Sequence, residues 1–322
     1  MFYVFSLKAG RNKVKKILGY GLLAIVAIVV LLASLYIFFP ESVYDLVVNA
    51  QRRSADLVKK EVQVDNHKII YLEGGKGETI ILLHGFGSNK DCWLAFAKYL
   101  KGYHLVIPDL PGFGESSRVP ADNYGMESQM TRINRFAEVL KLDKFHMAGN
   151  SMGGSLTAIY GAKHPEKILT LALIDPAGAV TTKKSELFIQ VDKGKNLLLA
   201  NNAKDYDELL ALIFAKPPPI PAPFKKIFVE YMAEHNEFDK KIWQDWQPEE
   251  FSLAPVLPLI QSPVLIIWGD QDKVVDVEGV TFLEKYLKTS RSVILKDTGH
   301  TPMVEKPEET AKPYLSFLKE KR

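Results

Sequence analysis

Residues 144–163 read KFHMAGNSMGGSLTAIYGAK and contain the most informative pattern in the chain, Gly149-Asn150-Ser151-Met152-Gly153. The residues from Lys144 to Gly149 have the composition of a short strand, and Met152–Lys163 has the small apolar residues of a buried helix. A G-x-S-x-G pattern between a strand and a helix is typical of a sharp turn that exposes its serine at the helix N-terminus. The pattern therefore predicts that Ser151 is a nucleophile.

Strand and helix patterns alternate on both sides of this turn. Further strands are predicted at His67–Glu73, Thr79–Leu83, His104–Pro108, Ile168–Ile174, Pro263–Trp268 and Ser292–Leu295. Further helices are predicted at Cys92–Leu100, Gly125–Leu140, Val277–Leu287 and Pro307–Lys319. Alternation of this kind predicts an α/β fold in which helices flank a mostly parallel sheet. The all-apolar run Thr79–Leu83 suits a sheet that is covered on both faces.

The alternation breaks between residues 178 and 259. This segment contains amphipathic helical patterns, five prolines between 217 and 223, and the tryptophans Trp243 and Trp246. An insertion of this length within an α/β sheet predicts a helical cap after the sixth strand. We therefore expect an α/β core formed by residues 62–177 and 260–322, and a cap formed by residues 178–259.

An uncharged segment of 23 residues, Ile17–Phe39, lies near the N-terminus. As a helix it is long enough to cross the hydrocarbon core of a membrane, which is about 30 Å thick. A cleaved signal peptide is the alternative, but such peptides have shorter apolar cores and end in small residues. This segment ends in aromatic residues, Phe38 and Phe39, before Pro40. The sequence therefore favours a retained transmembrane helix over residues 17–39.

The charge of the chain is concentrated beside this segment. The formal net charge is +3, yet residues 1–60 carry nine Lys or Arg against three Asp or Glu, and the remainder is slightly acidic. This distribution argues against a nucleic-acid partner. Five basic residues precede the apolar segment, so the positive-inside rule predicts a cytoplasmic segment over 1–16 and an extracytoplasmic location for the bulk of the chain. Residues 40–61 form a juxtamembrane connector, either an amphipathic helix on the lipid headgroups or a segment packed on the core.

A serine nucleophile needs a base to take its proton, and the sequence offers one after the last predicted strand. His300 follows that strand, and Asp272 follows the strand before it. We predict that His300 is the general base and that Asp272 orients its ring. Asp175, after the strand that follows the Ser151 helix, and Asp270 remain alternatives for the acid.

Backbone N–H groups are expected to stabilise the oxyanion. Met152 follows the nucleophile directly, and Phe86 lies in the loop His84-Gly85-Phe86-Gly87 after a buried strand. His84 is interpreted as a structural residue rather than a base or a ligand. The remaining histidines show no metal-ligand spacing, and no phosphate-binding glycine motif is present, so we expect no metal and no cofactor. The single cysteine, Cys92, excludes a disulfide framework within the chain.

Four motifs together give the chain a family resemblance. They are HGFG (84–87), DLPGFGES (109–116), GNSMGG (149–154) and the WGDQD and GH elements within residues 268–300. In this order they resemble the α/β-hydrolase superfamily over about residues 65–320, including its chain order of Ser, Asp and His. The N-terminal anchor, HGFGSNKDCW (84–93) and DPAG (175–178) resemble membrane-anchored monoacylglycerol lipases and related bacterial lipases more narrowly. The resemblance implies that the protein is an esterase or lipase, which cleaves lipid esters through a serine acyl-enzyme under a cap that covers an apolar pocket.

Other activities share the same residues. Hydrolases that cleave C–C bonds in ring-cleavage products, and cofactor-free haloperoxidases, resemble this chain in their Ser, Asp and His order. The C–C hydrolases usually have an HGxGPG loop, from which Phe86 and Ser88-Asn89-Lys90 depart. Serine at position 151 also departs from haloalkane dehalogenases and epoxide hydrolases, which have aspartate there. A non-catalytic binding protein of the same fold is the third hypothesis, and the sequence does not indicate an oligomeric state.

Overall fold

The computed structural model describes residues 20–25, 27–31 and 34–320. The basic segment predicted at 1–16 and the first residues of the predicted span lie outside the described residues. Helix α1, Tyr20–Phe38, is long and apolar enough to cross a membrane.

The chain divides into two compact units. The smaller unit combines Met1–Val47 with Ile220–Ile227. Within this unit, the ring of Phe224 makes edge contacts with the rings of Tyr36 and Tyr44, at centroid distances of 5.7 and 5.8 Å. The larger unit combines Val48–Pro219 with Phe228–Arg322 and contains the sheet.

Eight strands of the described residues form one sheet. They are β1 (Leu57–Val64), β2 (His67–Gly75), β3 (Thr79–Leu83), β4 (His104–Pro108), β5 (Phe145–Asn150), β6 (Ile168–Ile174), β7 (Val264–Gly269) and β8 (Ser290–Leu295). Their order in space is β1-β2-β4-β3-β5-β6-β7-β8. Strands β3 to β8 are mutually parallel, whereas β1 and β2 pair antiparallel. This arrangement confirms the predicted fold class.

Helices lie between and beside these strands in the chain. They are α2 (Pro40–Ser54), α3 (Leu94–Ala97), α4 (Met126–Val139), α5 (Met152–Lys163), α6 (Glu186–Asp192), α7 (Ala203–Ile213), α8 (Ala222–Trp246), α9 (Gly279–Tyr286), α10 (Pro302–Glu305) and α11 (Pro307–Glu320). Helix α5 is buried over its first ten residues, and for this reason its sequence shows no polar stripe. Helices α6 to α8 lie between β6 and β7 in the chain, where the cap is predicted.

The first strand was not predicted from the sequence. Strand β1 begins at Leu57, inside the segment 40–61 that was expected to be a connector, and pairs with β2 from Leu57 opposite Gly74 onward. Its lysines, Lys59 and Lys60, hide the strand pattern, and charged side chains of this kind protect a sheet edge from further pairing.

The connector itself is helical only as far as Ser54, where α2 ends. Within the larger unit, Arg52 in the last turn of α2 is buried, and its guanidinium donates to both carboxylate oxygens of Asp91, at 2.8 and 2.6 Å. This contact supports the interpretation of a packed connector for the last turn.

The helix predicted at Cys92–Leu100 is shorter in the structure. A 3-10 turn over Lys90–Trp93 precedes α3, which ends at Ala97. The side chain of Asn89 accepts the Asp91 N–H and so begins the tight turn two residues before the predicted start. The early start places Lys90 inside the molecule, where it binds Asp109.

Candidate active site

Ser151 lies at a strained turn between β5 and α5. Its backbone has φ 56° and ψ −121°, outside the regions that non-glycine residues ordinarily occupy. The turn holds because the Ser151 N–H donates to Ile174 O at 3.0 Å. Side chains are excluded around it: a Cβ on Gly149 would lie 2.1 Å from the carbonyl oxygen of Gly153. The glycines of the motif are therefore required by close backbone approach.

The loop after β3 lies against Ser151. A Cβ on Gly85 would lie 3.0 Å from the Cβ of Ser151, so only glycine lets the loop come this close. The two predicted oxyanion donors lie next to this contact, because Phe86 follows Gly85 and Met152 follows Ser151. In the described part of the chain, neither the Phe86 N–H nor the Met152 N–H donates to a backbone acceptor. Both groups are therefore available to bind a substrate oxygen.

His300 and Asp272 form a buried pair. Nδ1 of His300 lies 2.7 Å from Oδ2 of Asp272, and the other Asp272 oxygen accepts the N–H groups of Val274 and Val275 at 2.7 and 3.0 Å. A carboxylate held in this way orients the ring and directs its Nδ1 proton, which leaves Nε2 to accept one. The structure thus brings His300 and Asp272 into hydrogen-bond contact, while their roles as base and orienting acid remain predictions.

Asn150, which precedes Ser151, connects the turn to the loop that carries His300. Its side chain donates to the carbonyl oxygen of His300 at 3.0 Å and so links the elbow to the loop after β8. Ser151 Oγ makes no hydrogen bond to any residue that the structure describes. Catalytic hydrogen bonds are often long without substrate and shorten when it binds, so a Ser151 hydroxyl without this bond is compatible with catalysis.

The two alternative acids lie elsewhere around His300. Asp270 accepts the Thr298 N–H at 3.2 Å and so braces the loop before His300. Asp175 is fully buried, and its Oδ1 accepts the Gly269 N–H at 2.9 Å. Of the three candidates, Asp272 is the one that hydrogen-bonds the His300 ring in the described residues.

Asp175, Asp272 and His300 also form the one group of potential metal ligands found among the described residues. One ligand atom from each residue lies within 4.8 Å of the others. The Nδ1 to Oδ2 distance of 2.7 Å is a hydrogen-bond distance, and that bond uses the ring nitrogen that faces the carboxylates. The geometry therefore fits a proton network better than a metal centre.

The contacts of His84 support its interpretation as a structural residue. Its Nδ1–H donates to Gly85 O at 2.8 Å, and its Nε2 accepts the Leu110 N–H at 2.9 Å. Burial lowers the pKa of His84, and the nearby carboxylate of Asp109 only partly offsets that effect. A neutral imidazole satisfies both bonds and so ties the loop that carries Phe86 to the loop after β4.

A buried ion pair beside this loop was missed from the sequence. Nζ of Lys90 lies 2.8 Å from Oδ2 of Asp109 and 2.8 Å from Oε1 of Glu115. Burial opposes the charge of Lys90, but these carboxylates and Asp91 outweigh it and raise the pKa of Lys90. The stretch around Asp109 was interpreted as a turn, and nothing in the sequence around Lys90 marks that lysine as buried.

Aromatic side chains of α8 cover the loop that carries Phe86. The Phe86 ring stacks on Trp246 at 6.1 Å and contacts Trp243 edge-on at 5.4 Å. Phe113, from the loop after β4, makes a further edge contact with Phe86 at 5.5 Å. The candidate oxyanion loop therefore has an apolar aromatic wall.

The family follows from these features and from a direct comparison. The sequence profile of the alpha/beta hydrolase fold matches residues 78–307. The chain is a member of the α/β-hydrolase family. The motif order and the site geometry of this α/β-hydrolase agree with that assignment, and the resemblance stated from the sequence is confirmed.

Named relatives of this α/β-hydrolase include lipases. It is 33% identical over 276 residues to Lipase 1 of Psychrobacter immobilis. The alignment covers 84% of this chain and 87% of the relative. It is 31% identical over 298 residues to monoacylglycerol lipase ABHD6 of Bos taurus, with 88% of each chain covered. A solved structure described as a membrane phospholipase A, a novel bacterial virulence factor, superposes with a TM-score of 0.87 at 41% identity, covering 94% of this chain and 98% of that one.

Proposed function

We propose that this protein is a serine hydrolase that cleaves carboxylic esters of lipids, acylglycerols in particular, through an acyl-enzyme on Ser151. The observation that carries the proposal is the position of Ser151 on a strained elbow that Asn150 links to the buried His300–Asp272 pair. The named lipases among the relatives support the same class of substrate.

The proposed mechanism uses these groups in sequence. Nε2 of His300 takes the proton from Ser151 Oγ as the oxygen attacks the ester carbonyl, and Asp272 stabilises the imidazolium that forms. The N–H groups of Phe86 and Met152 stabilise the oxyanion. His300 then gives its proton to the leaving alcohol, and water, activated by the same ring, releases the fatty acid and restores Ser151.

The cap proposed over residues 178–259 supplies the apolar part of the substrate site. Trp243 and Trp246 pack on Phe86, next to the nucleophile loop, and present rings that can bury an acyl chain. Each buried CH₂ contributes about 0.8 kcal/mol. We therefore expect kcat/KM to rise with acyl chain length until the pocket is full.

The anchor proposed over residues 17–39 crosses the membrane once, with residues 1–16 in the cytoplasm and the catalytic core outside it. The hydropathy of α1 supports the span, and the five basic residues before it support the orientation. A C-terminal alkaline phosphatase fusion, which is active only outside the cytoplasm, tests this topology. A fusion that is inactive although produced in full would reverse the orientation.

Labelling with a serine-directed phosphonate tests the proposed activity, together with hydrolysis of monoacylglycerols of increasing chain length. We expect wild type to be labelled and active and Ser151→Ala to be neither, whereas Ser128→Ala, a control on the surface of α4, behaves as wild type. Turnover of a vinylogous diketone without ester hydrolysis would favour a C–C hydrolase. Absence of labelling and of all turnover would favour a binding protein.

A further inference from the structure

Asp175 occupies a strained and fully buried position immediately after β6. Its φ is +43°, a left-handed conformation that is strained for a residue other than glycine. The Asp175 N–H donates to Ile267 O at 2.9 Å, which fixes the backbone beside β7. Its relative exposure is 0%. Strain and complete burial together indicate that the position of this carboxyl group matters.

The Asp175 carboxyl group has too few partners to be ionised. Oδ1 accepts the Gly269 N–H at 2.9 Å, whereas Oδ2 is buried and has no hydrogen-bond partner among the described residues. Burying an ionised carboxylate without a cation is very unfavourable. Burial, and next the adjacent Asp272 carboxylate, raise the pKa of Asp175 well above its ordinary value.

The ionisable groups that face Asp175 cannot supply the missing cation. Asp272 faces it from the loop after β7 and His300 from the loop after β8, with one oxygen or nitrogen of each within the 4.8 Å cluster. The ring proton of His300 already serves Asp272. The first turn of α5, which follows Ser151, contains no ionisable residue. Two ionised carboxylates would therefore share at most one imidazolium.

We propose that Asp175 is a positioning residue that stays protonated and donates an O–H hydrogen bond to the carboxylate of Asp272. The bond satisfies the buried Oδ2 of Asp175 and leaves a single negative charge on the two carboxyl groups. It adds a further donor to Asp272, which already accepts from His300, Val274 and Val275. The Asp272 carboxylate is thereby held in place while the His300 ring gains and loses its proton.

Substitution at position 175 distinguishes this role from that of a second catalytic base or acid. This test rests on the proposed function, because it measures ester hydrolysis. Asparagine has the shape of a protonated aspartate and can donate from its NH₂ group, whereas glycine removes the donor; both residues tolerate a positive φ. If Asp175 were instead ionised and acted directly on His300, neither asparagine nor glycine could take over its role.

The first measurement is kcat and KM for a p-nitrophenyl acyl ester with wild type, Asp175→Asn and Asp175→Gly. We expect Asp175→Asn to keep kcat within about 3-fold and Asp175→Gly to lose about 10- to 100-fold in kcat, with little change in KM, as for other residues that orient a functional side chain. Equal losses in both variants would overturn the proposal, and so would full activity in both.

The second measurement does not depend on activity. A proton that folded Asp175 keeps and the unfolded chain releases stabilises the fold fully below pH 4, and this stabilisation is lost as pH rises toward the raised pKa. The melting temperature of wild type should therefore fall relative to that of Asp175→Asn between pH 5 and pH 8. A constant difference across this range would contradict the proposal. If wild type cleaves no ester, the proposed function fails, while the melting comparison still decides where the proton lies.

Discussion

Asp109 and Asp175 occupy equivalent places in the sheet but are neutralised in different ways. Each is the first residue after a parallel strand, Asp109 after β4 and Asp175 after β6, and each has a relative exposure of 0%. Asp109 binds the ammonium group of Lys90 at 2.8 Å and accepts the N–H groups of Lys90 and Glu115 at 2.7 and 2.8 Å. Asp175 accepts one N–H, from Gly269, and has a second acidic residue, Asp272, as its neighbour.

The difference teaches that burial alone does not set the charge of a carboxyl group. A buried carboxylate persists where the fold also buries a cation and several N–H donors, as it does around Asp109. Where the fold supplies neither a cation nor several N–H donors, protonation of the carboxyl group has the lower free energy. The cluster of Asp109, Lys90 and Glu115, here called the Asp109 cluster, is held together by ion pairs. In the part of the chain that the structure describes, no Lys or Arg pairs with Asp175, and this agrees with the proposed role of Asp175 as a hydrogen-bond donor to Asp272.

The largest effect is expected for Asp272→Asn, which removes the carboxylate that orients His300. We expect kcat to fall by roughly 10⁴-fold, because the ring would take the wrong tautomer, while Asp175→Asn changes it only slightly. Steady-state kinetics on a soluble acyl ester would measure both. A loss below about 10-fold in Asp272→Asn would mean that Asp175 can act as the acid of the triad, as in the alternative left open by the sequence.

A large effect on stability is expected for Asp109→Asn. The substitution leaves the Lys90 ammonium buried without its main partner, so the free energy of unfolding should fall by about 3–5 kcal/mol. Chemical denaturation measures the change, and Asp175→Asn, which removes no ion pair, is the matched control. Equal destabilisation by the two variants would remove the distinction between the two aspartates.

Asp239, on α8, is another buried acid, with an exposure of 8% and a cation, Arg118, nearby. Burial raises its pKa to about 7, although the nearby Arg118 works in the opposite direction. Because the folded protein holds the Asp239 proton more tightly than the unfolded chain does, protonated Asp239 stabilises the fold. This stabilisation is fully present below about pH 4 and is lost as pH rises through 7. Relative to Asp239→Asn, wild type should lose up to about 4 kcal/mol of unfolding free energy between pH 4 and pH 8. Parallel denaturation curves at all pH values would contradict this expectation.

The smallest effect is expected for Lys59→Ala at the edge of the Asp109 cluster. Lys59 pairs with Glu115 at 2.6 Å, but both side chains are 46% exposed. Burial would raise the pKa of Glu115, yet its bonds to Lys59 and Lys90 outweigh that effect and lower the pKa to about 2. An exposed pair of this kind contributes less than about 1 kcal/mol. Destabilisation as large as that of Asp109→Asn would show that the outer lysine, not Lys90, neutralises the cluster.

The parts of the fold with strong local patterns were predictable. The strands Thr79–Leu83, His104–Pro108 and Ile168–Ile174 and the helix Met152–Lys163 have the predicted limits, because apolar runs end there at Gly, Pro or polar residues. Strand β1 was missed, because lysines of a sheet edge obscure its alternation.

The parts of the candidate site that lie in short sequence motifs could be predicted. Ser151, His300 and Asp272 are positioned by short motifs at strand ends, and the structure brings His300 and Asp272 together. The Lys90–Asp109 pair depends on residues 19 positions apart and on burial that no local pattern reveals. The state of Asp175 depends on which groups surround it in space, so the sequence could place it near the site but could not assign its proton.

The central claim is that esters are cleaved through an acyl group carried by Ser151. The most direct measurement is acid quenching of the full-length protein within the first turnover of a long-chain p-nitrophenyl ester, followed by mass spectrometry of the Ser151 peptide. We predict a burst of nitrophenol and a peptide whose mass has increased by one acyl group at Ser151. Ester turnover with no acylated Ser151, or with the acyl group on another residue, would contradict the claim.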